Sequence, residues 1–176
     1  MKAVGFKEWA LVCAALGEGR QTVIIRKGGI AEGRDGFAFL HREFFLFPTF
    51  FHEQLERVRF PGGVLPEPLP NEIEIRYFAK VDETRVMTDW EEVRALEPQH
   101  ILKESVVRER FDYDEAPGVH VAFVEMFRLE PVWRFPDSKS YAGCRSWVEL
   151  PDPPNDLQLR PIKTNEHEFS LAAGYE

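Results

Sequence analysis

The chain has 176 residues, with 22 Lys or Arg against 30 Asp or Glu, and so carries a formal charge of −8 with its five histidines neutral. Its 44% hydrophobic content, with 15 Phe and 4 Trp, is too high for a disordered polymer, and its 13 Pro and 12 Gly follow no period, which excludes a collagen-like chain. One globular core is expected, acidic enough that a phosphate-bearing partner must be met by a local basic site rather than by the overall field.

The N-terminus offers Lys2 and an apolar stretch, but Lys7 and Glu8 interrupt it, and Trp9 to Leu16 is too short to span a bilayer. Neither export nor membrane insertion is expected. Phe6, Trp9, Ala10, Cys13 and Leu16 recur at steps of three and four, which predicts a helix ending at Gly17 or Gly19. Cys13 lies on its apolar side and is read as inert packing. Cys144 has no neighbouring thiol with which to build a zinc pattern or a redox pair, so the expected location is cytoplasmic.

Residues Gln21 to Arg26 are short and β-branched, a buried strand stopped by Lys27-Gly28-Gly29. From Phe37 to Phe47 one or two strands are predicted, with Phe37, Phe39 and His41 on one side. Pro48 ends that run, and Thr49 is read as the N-cap of a helix from Phe50 to about Val58, with Glu53 and Arg57 paired on its exposed side. Residues 61–71 hold four prolines and two glycines and form a loop. Apolar and polar residues alternate from Ile73 to Asp82, the pattern of a strand with one wet face, antiparallel or at an edge.

Asp89, with Glu92 three positions on, caps a predicted helix from Trp90 to Leu96 that Pro98 closes. The stretch from His100 to Phe111 favours helix over strand. Val119 to Leu129 is apolar on both faces and is the best central strand, broken by Pro131 and Pro136. Arg145 to Leu150 adds a last strand. The expected organisation is a single α+β domain over 1–150, with a mixed, mainly antiparallel sheet that can curl into a partial barrel, flanked by short helices. A polar, Pro-rich C-terminal extension follows over 151–176.

The N-terminal third is where chemistry is sought, because residues 1–60 carry 9 basic and 7 acidic side chains while the remainder carries 13 and 23. Arg26-Lys27-Gly28-Gly29 pairs two cations with two residues that let a backbone approach a ligand, an anion-binding composition. The competing reading is a hairpin turn with solvated basic neighbours. It is not a P-loop, since no Gly-Lys-Ser/Thr is present. His41, His52, His100, His120 and His167 form no HxH or HxxxH pair, so no metal or cofactor is expected. If His41 and His52 meet near Lys27, they make a general acid/base pair. Phe44, Phe45, Phe47, Phe50 and Phe51 serve either base stacking or the core, with the core preferred. Arg108 and Arg110 either join the basic loop or pair with Asp112, Asp114 and Glu115.

The segment from Glu8 to Gly33 (EWALVCAALGEGRQTVIIRKGGIAEG) and the run from Phe37 to Gln54, with its His41, LFPT and His52, resemble the bacterial domain-of-unknown-function 1802 family. The resemblance covers the chain to about residue 135. It departs at Glu53, which stands where the family pattern has Gln, with Gln54 next. The family implies no established activity. A second likeness is architectural: a short helix, the strand GRQTVIIR and several antiparallel strands are similar to small RNA-binding pseudo-barrels of the PUA and ASCH kind.

The functional expectation is binding of RNA, DNA or a small phosphate-bearing ligand by Arg26, Lys27, Gly28, Gly29, Arg42 and Thr49, with backbone donors after Thr49. One alternative is phosphodiester cleavage with His41 and His52 as acid and base and Lys27 stabilising the developing charge. The other is an interaction module that recruits a protein through the acidic C-terminal half.

Overall fold

In the computed structural model, residues 2–27, 36–59 and 65–164 are described. β1 (Val4–Trp9) runs directly into α1 (Ala10–Gly17), so the spacing from Phe6 to Leu16 belongs to a strand joined to a helix and not to one helix. Partners explain the difference. β1 pairs in parallel with β3 (Glu43–Thr49) and antiparallel with β6 (Trp147–Glu149), and those two ladders outweigh a local helical preference. β2 (Val23–Arg26) is the expected short buried strand.

β3 starts at Glu43, later than the sequence suggests, and passes through Pro48. β4 (Glu72–Met87) accompanies β3 only at Glu43–Phe45, so Pro48 falls in an edge-like position where proline is tolerated. The helix expected from Phe50 shrinks to one turn, α2 (Gln54–Arg57), and Thr49 is not its cap. Its hydroxyl donates instead to the Glu8 carbonyl at 3.2 Å. Arg57 reaches Glu109 at 3.1 Å.

β4 is interior and antiparallel to both β3 and β5 (Val119–Pro136), with which it makes the longest ladder of the fold. Pro131 does not break β5, because it lies where the ladder skips from Ile75↔Trp133 to Tyr77↔Arg128, a bulge that needs no N–H there. Pro136 sits at the strand's end. The connection between β4 and β5 carries α3 (Trp90–Arg94) and α4 (Glu104–Phe111). Asp89 caps α3 as expected, accepting from the Glu92 N–H at 3.1 Å. β7 (Gln158–Pro161) pairs with Phe127–Glu130 of β5, placing a strand inside the segment expected as a polar extension.

Among the described residues seven strands form one mixed sheet in the order β2-β5-β4-β3-β1-β6, with β7 also on β5. Side chains alternate between two cores. Phe44 and Leu46 join Phe6 and α1 on one face, while Phe45 and Phe47 join Phe127, Trp133 and Phe135 on the other. The path is open by backbone pairing, yet the sheet curls far enough for Arg26 on β2 to donate to the Lys7 carbonyl on β1 at 3.1 Å. This is the α+β fold with a partial barrel that the sequence suggests.

One packing contact is tight enough to test. A Cβ at Gly17 would lie 2.1 Å from the Tyr77 ring, which rests on the helix at that point. Gly17→Ala is therefore expected to lower stability by about 1–3 kcal/mol despite the better helix former. Urea midpoints measure this, and an unchanged midpoint would show that the ring does not need the space.

Candidate functional site

Arg26 ends β2 and crosses the mouth of the curled sheet. Besides the Lys7 carbonyl it donates to the Ser146 hydroxyl at 2.6 Å, and its guanidinium carbon lies 4.9 Å from the Phe6 ring centroid and 5.6 Å from that of Phe37. The Glu8 carboxylate stands 3.9 Å away. Glu8 is only 2% exposed and also accepts from the Trp9 N–H at 2.8 Å. Arg110 approaches from α4, donating to the Ile25 carbonyl at 2.6 Å with its guanidinium 4.8 Å over the Trp9 ring. Burial lowers the Arg110 pKa to about 10 against the opposing pull of Glu8, so it stays charged at neutral pH.

Lys27 reaches Asp114 at 3.1 Å and donates to the Ala116 carbonyl. The Lys27 hydrogen bond holds the Asp114 carboxyl below its ordinary range. His120, the cross-strand partner of Arg26, is pushed below the usual histidine value by burial and then by Lys27. Gly28 and Gly29 lie outside the described residues. Three cations, Arg26, Lys27 and Arg110, thus face two carboxylates, Glu8 and Asp114, and the Arg57–Glu109 pair that also acts on Arg110 adds no net charge, leaving one positive charge in excess.

The other expected residues spread along β3. His41 packs edge-on against Trp147 with centroids 4.9 Å apart, and the neighbouring Arg42 is exposed, donating to the Val81 carbonyl at 3.5 Å. His52 is exposed in the turn before α2. β3 sets its ends about 20 Å apart, with His41 before its first residue and His52 beyond its last. Phe44, Phe45 and Phe47 are core residues, while the half-buried Phe51 meets the Trp9 ring edge-on at 5.2 Å. Of the two candidate arginines, Arg108 pairs with Asp112 at 2.6 Å and only Arg110 turns inward. Gln54 is fully buried; its amide oxygen accepts from the Leu11 N–H at 3.2 Å and its nitrogen donates to the Thr49 carbonyl at 2.7 Å, locking α1 to the end of β3.

Two features were not drawn from the sequence. In the sequence Glu8 only interrupts an apolar run, although a carboxylate that is buried there needs a partner and so signals one. The second is a cleft of about 630 Å³ between α1 and the start of β4, floored by Cys13, Leu46 and Tyr77 and walled by residues 66–69 of the Pro-rich loop. Cys13 is buried and its thiol is pushed well up by that burial, consistent with inert packing. At the rim Arg76 and Arg134 both grip Glu74, at 2.5 and 2.7 Å. The described part of the loop thus lines this cleft.

Among the described residues no helix is long and apolar enough to cross a membrane. The family model for the domain of unknown function DUF1802 matches residues 5–172. No curated protein matches the chain. Among solved structures, the ASCH protein from Zymomonas mobilis is similar at 14% identity and a TM-score of 0.46, over 97% of this chain and 94% of that one. A mutant of the same protein gives 15% identity and a TM-score of 0.47, over 98% and 95%.

Proposed function

We propose that this chain, which belongs to the DUF1802 family, binds a phosphate-bearing ligand, nucleic acid foremost, at the sheet end where Arg26, Lys27 and Arg110 gather. The observation that carries the reading is the excess positive charge there, in a protein that is otherwise acidic. Arg26 is committed to closing the sheet and sets the local field. Lys27 is the exchangeable contact: its side chain is 10% exposed and also held by the Ala116 carbonyl, but its partner Asp114 is 54% exposed, so a phosphate oxygen can take the place of that outer carboxylate. Gly28 and Gly29 follow Lys27 directly and, lacking Cβ atoms, let a backbone come close to a phosphate. Arg42 adjoins His41, whose ring rests on Trp147 beside the Ser146 gripped by Arg26, and supplies a further cation. The half-buried rings of Trp9 and Phe51 add a surface for an unpaired base.

Binding to labelled RNA and DNA pools across a salt series tests this. Lys27→Glu is expected to weaken binding at least ten-fold and to flatten the salt slope by about one unit, while Asp114→Asn tightens binding severalfold by removing the competing carboxylate. Circular dichroism checks that both variants fold. Absence of binding to either pool at low salt would overturn the reading. Cleavage by a His41 and His52 pair gains no support from their placement at opposite ends of β3. Nor does an aromatic docking face, since the large apolar side chains exposed among the described residues, Leu40, Val86, Tyr113 and Leu159, lie on separate segments.

A further inference from the structure

The cleft beside α1 differs in chemistry from the Arg26 cluster. Its size suits a drug-sized molecule, and its floor is apolar because α1 presents only Ala10, Cys13 and Ala14 toward it. The Tyr77 ring, seated over Gly17, forms one side. Burial pushes the Tyr77 phenol up, so it remains protonated. Phe50 supplies a second ring.

Charge at the rim decides what can enter. Arg76 and Arg134 are both spent on Glu74, whereas Glu67 and Glu72 have no ion-pair partner among the described residues and Asp137 accepts only from the adjacent Ser138 N–H, at 2.7 Å. Four carboxylates against two guanidiniums leave the rim at −2. A phosphate or carboxylate ligand would meet that field with no free cation to receive it. A neutral apolar ligand would strip water from the carboxylates and return nothing. A cation with an apolar body satisfies both parts: the body fills the floor beside the rings of Tyr77 and Phe50, and the charge meets the unpaired carboxylates.

We propose that this cleft is a second binding site, selective for a small organic amine with an apolar or aromatic body. It is independent of the phosphate reading and stands whether or not nucleic acid binds. The probes are 2-phenylethylamine, its neutral N-acetyl derivative and 3-phenylpropionate, which keep the ring and change only the charge. Saturation-transfer NMR and calorimetry on the full chain are expected to show the amine binding at least ten-fold more tightly than the amide, and the acid not at all.

Ala14→Leu, which fills the floor while keeping a good helix former, is expected to abolish amine binding. Glu72→Gln combined with Asp137→Asn should weaken it at least ten-fold at unchanged thermal stability. Equal binding of all three probes, no binding of the amine at millimolar concentration, or amine binding that survives both sets of substitutions would each overturn the proposal. Nucleic-acid binding measured on the same Ala14→Leu protein is expected to be unchanged, which keeps the two sites distinguishable.

Discussion

Replacing Arg26 by Met is expected to lower folding stability by roughly 3–5 kcal/mol, the range seen when one partner of a buried ion pair is removed. The loss has two sources. Glu8, 2% exposed, would lose its ion-pair partner, with Arg110 the remaining cation coupled to it. The Lys7 carbonyl and Ser146 hydroxyl would also lose the donor that joins β2 to β1. Equilibrium urea unfolding of Arg26→Met, Glu8→Gln and the double variant separates these sources. If the uncompensated charge dominates, the double variant is more stable than Arg26→Met alone and the cycle shows a coupling of 1 kcal/mol or more. Additive losses would assign the effect to the bridging hydrogen bonds. A change below about 0.5 kcal/mol in Arg26→Met would refute the closure role altogether.

Acid should unfold the protein through His100. This side chain is 4% exposed, its Nδ1 accepts from the Leu102 N–H at 3.1 Å, and burial, followed by the charges of Arg59 and Arg110, lowers its pKa to about 3. The unfolded chain titrates near the ordinary value of about 6.5. Between those limits the unfolded state holds a proton that the folded state refuses, so stability is fully present above pH 6.5 and is lost as pH falls toward 3. The loss is about 2 kcal/mol at pH 5 and approaches roughly 5 kcal/mol below pH 3. His100→Asn keeps an acceptor for the Leu102 N–H but cannot titrate. Comparing urea unfolding of both proteins at pH 7 and pH 5 isolates the residue from the many carboxylates. The variant should lose about 2 kcal/mol less over that interval, and parallel losses would show that His100 is not the group responsible.

Much of the fold was legible because local and tertiary signals agreed. Gln21 to Arg26 is β-branched and buried, and Val119 to Leu129 is apolar on both faces and lies between β2 and β4. Asp89 with Glu92 makes the cap it promised. Failures came where a distant partner decided. Phe6 and Trp9 fit a helical stripe, but β3 and β6 draw Val4–Trp9 into the sheet. Pro48 and Pro131 looked like terminators, yet each falls where a ladder is already interrupted or one-sided. The polar run from Gln158 has little strand character of its own and is ordered by the edge of β5.

The site was legible in part for the same reason. Arg26 and Lys27 stood out as a basic pair, and the structure brings both to one end of the sheet. Their partners were hidden, since Glu8, Asp114 and Ser146 lie 18 to 120 positions away from the cation each one meets. The expectation for His41 and His52 depended on their meeting near Lys27, and β3 runs between them as a continuous strand.

The placement of β1 also governs when the protein can finish folding. β1 needs β3 on one side and β6 on the other, and β6 begins only at Trp147. Until that point in synthesis, one edge of an apolar N-terminal strand has no neighbour in its own chain, and β2 waits likewise for Val119 onward. Contacts this far apart in sequence slow folding and leave strand edges open to other chains. Unpaired edges of β1 and β2 are therefore the segments of this chain most open to aggregation during synthesis, and protection by a chaperone would matter most there.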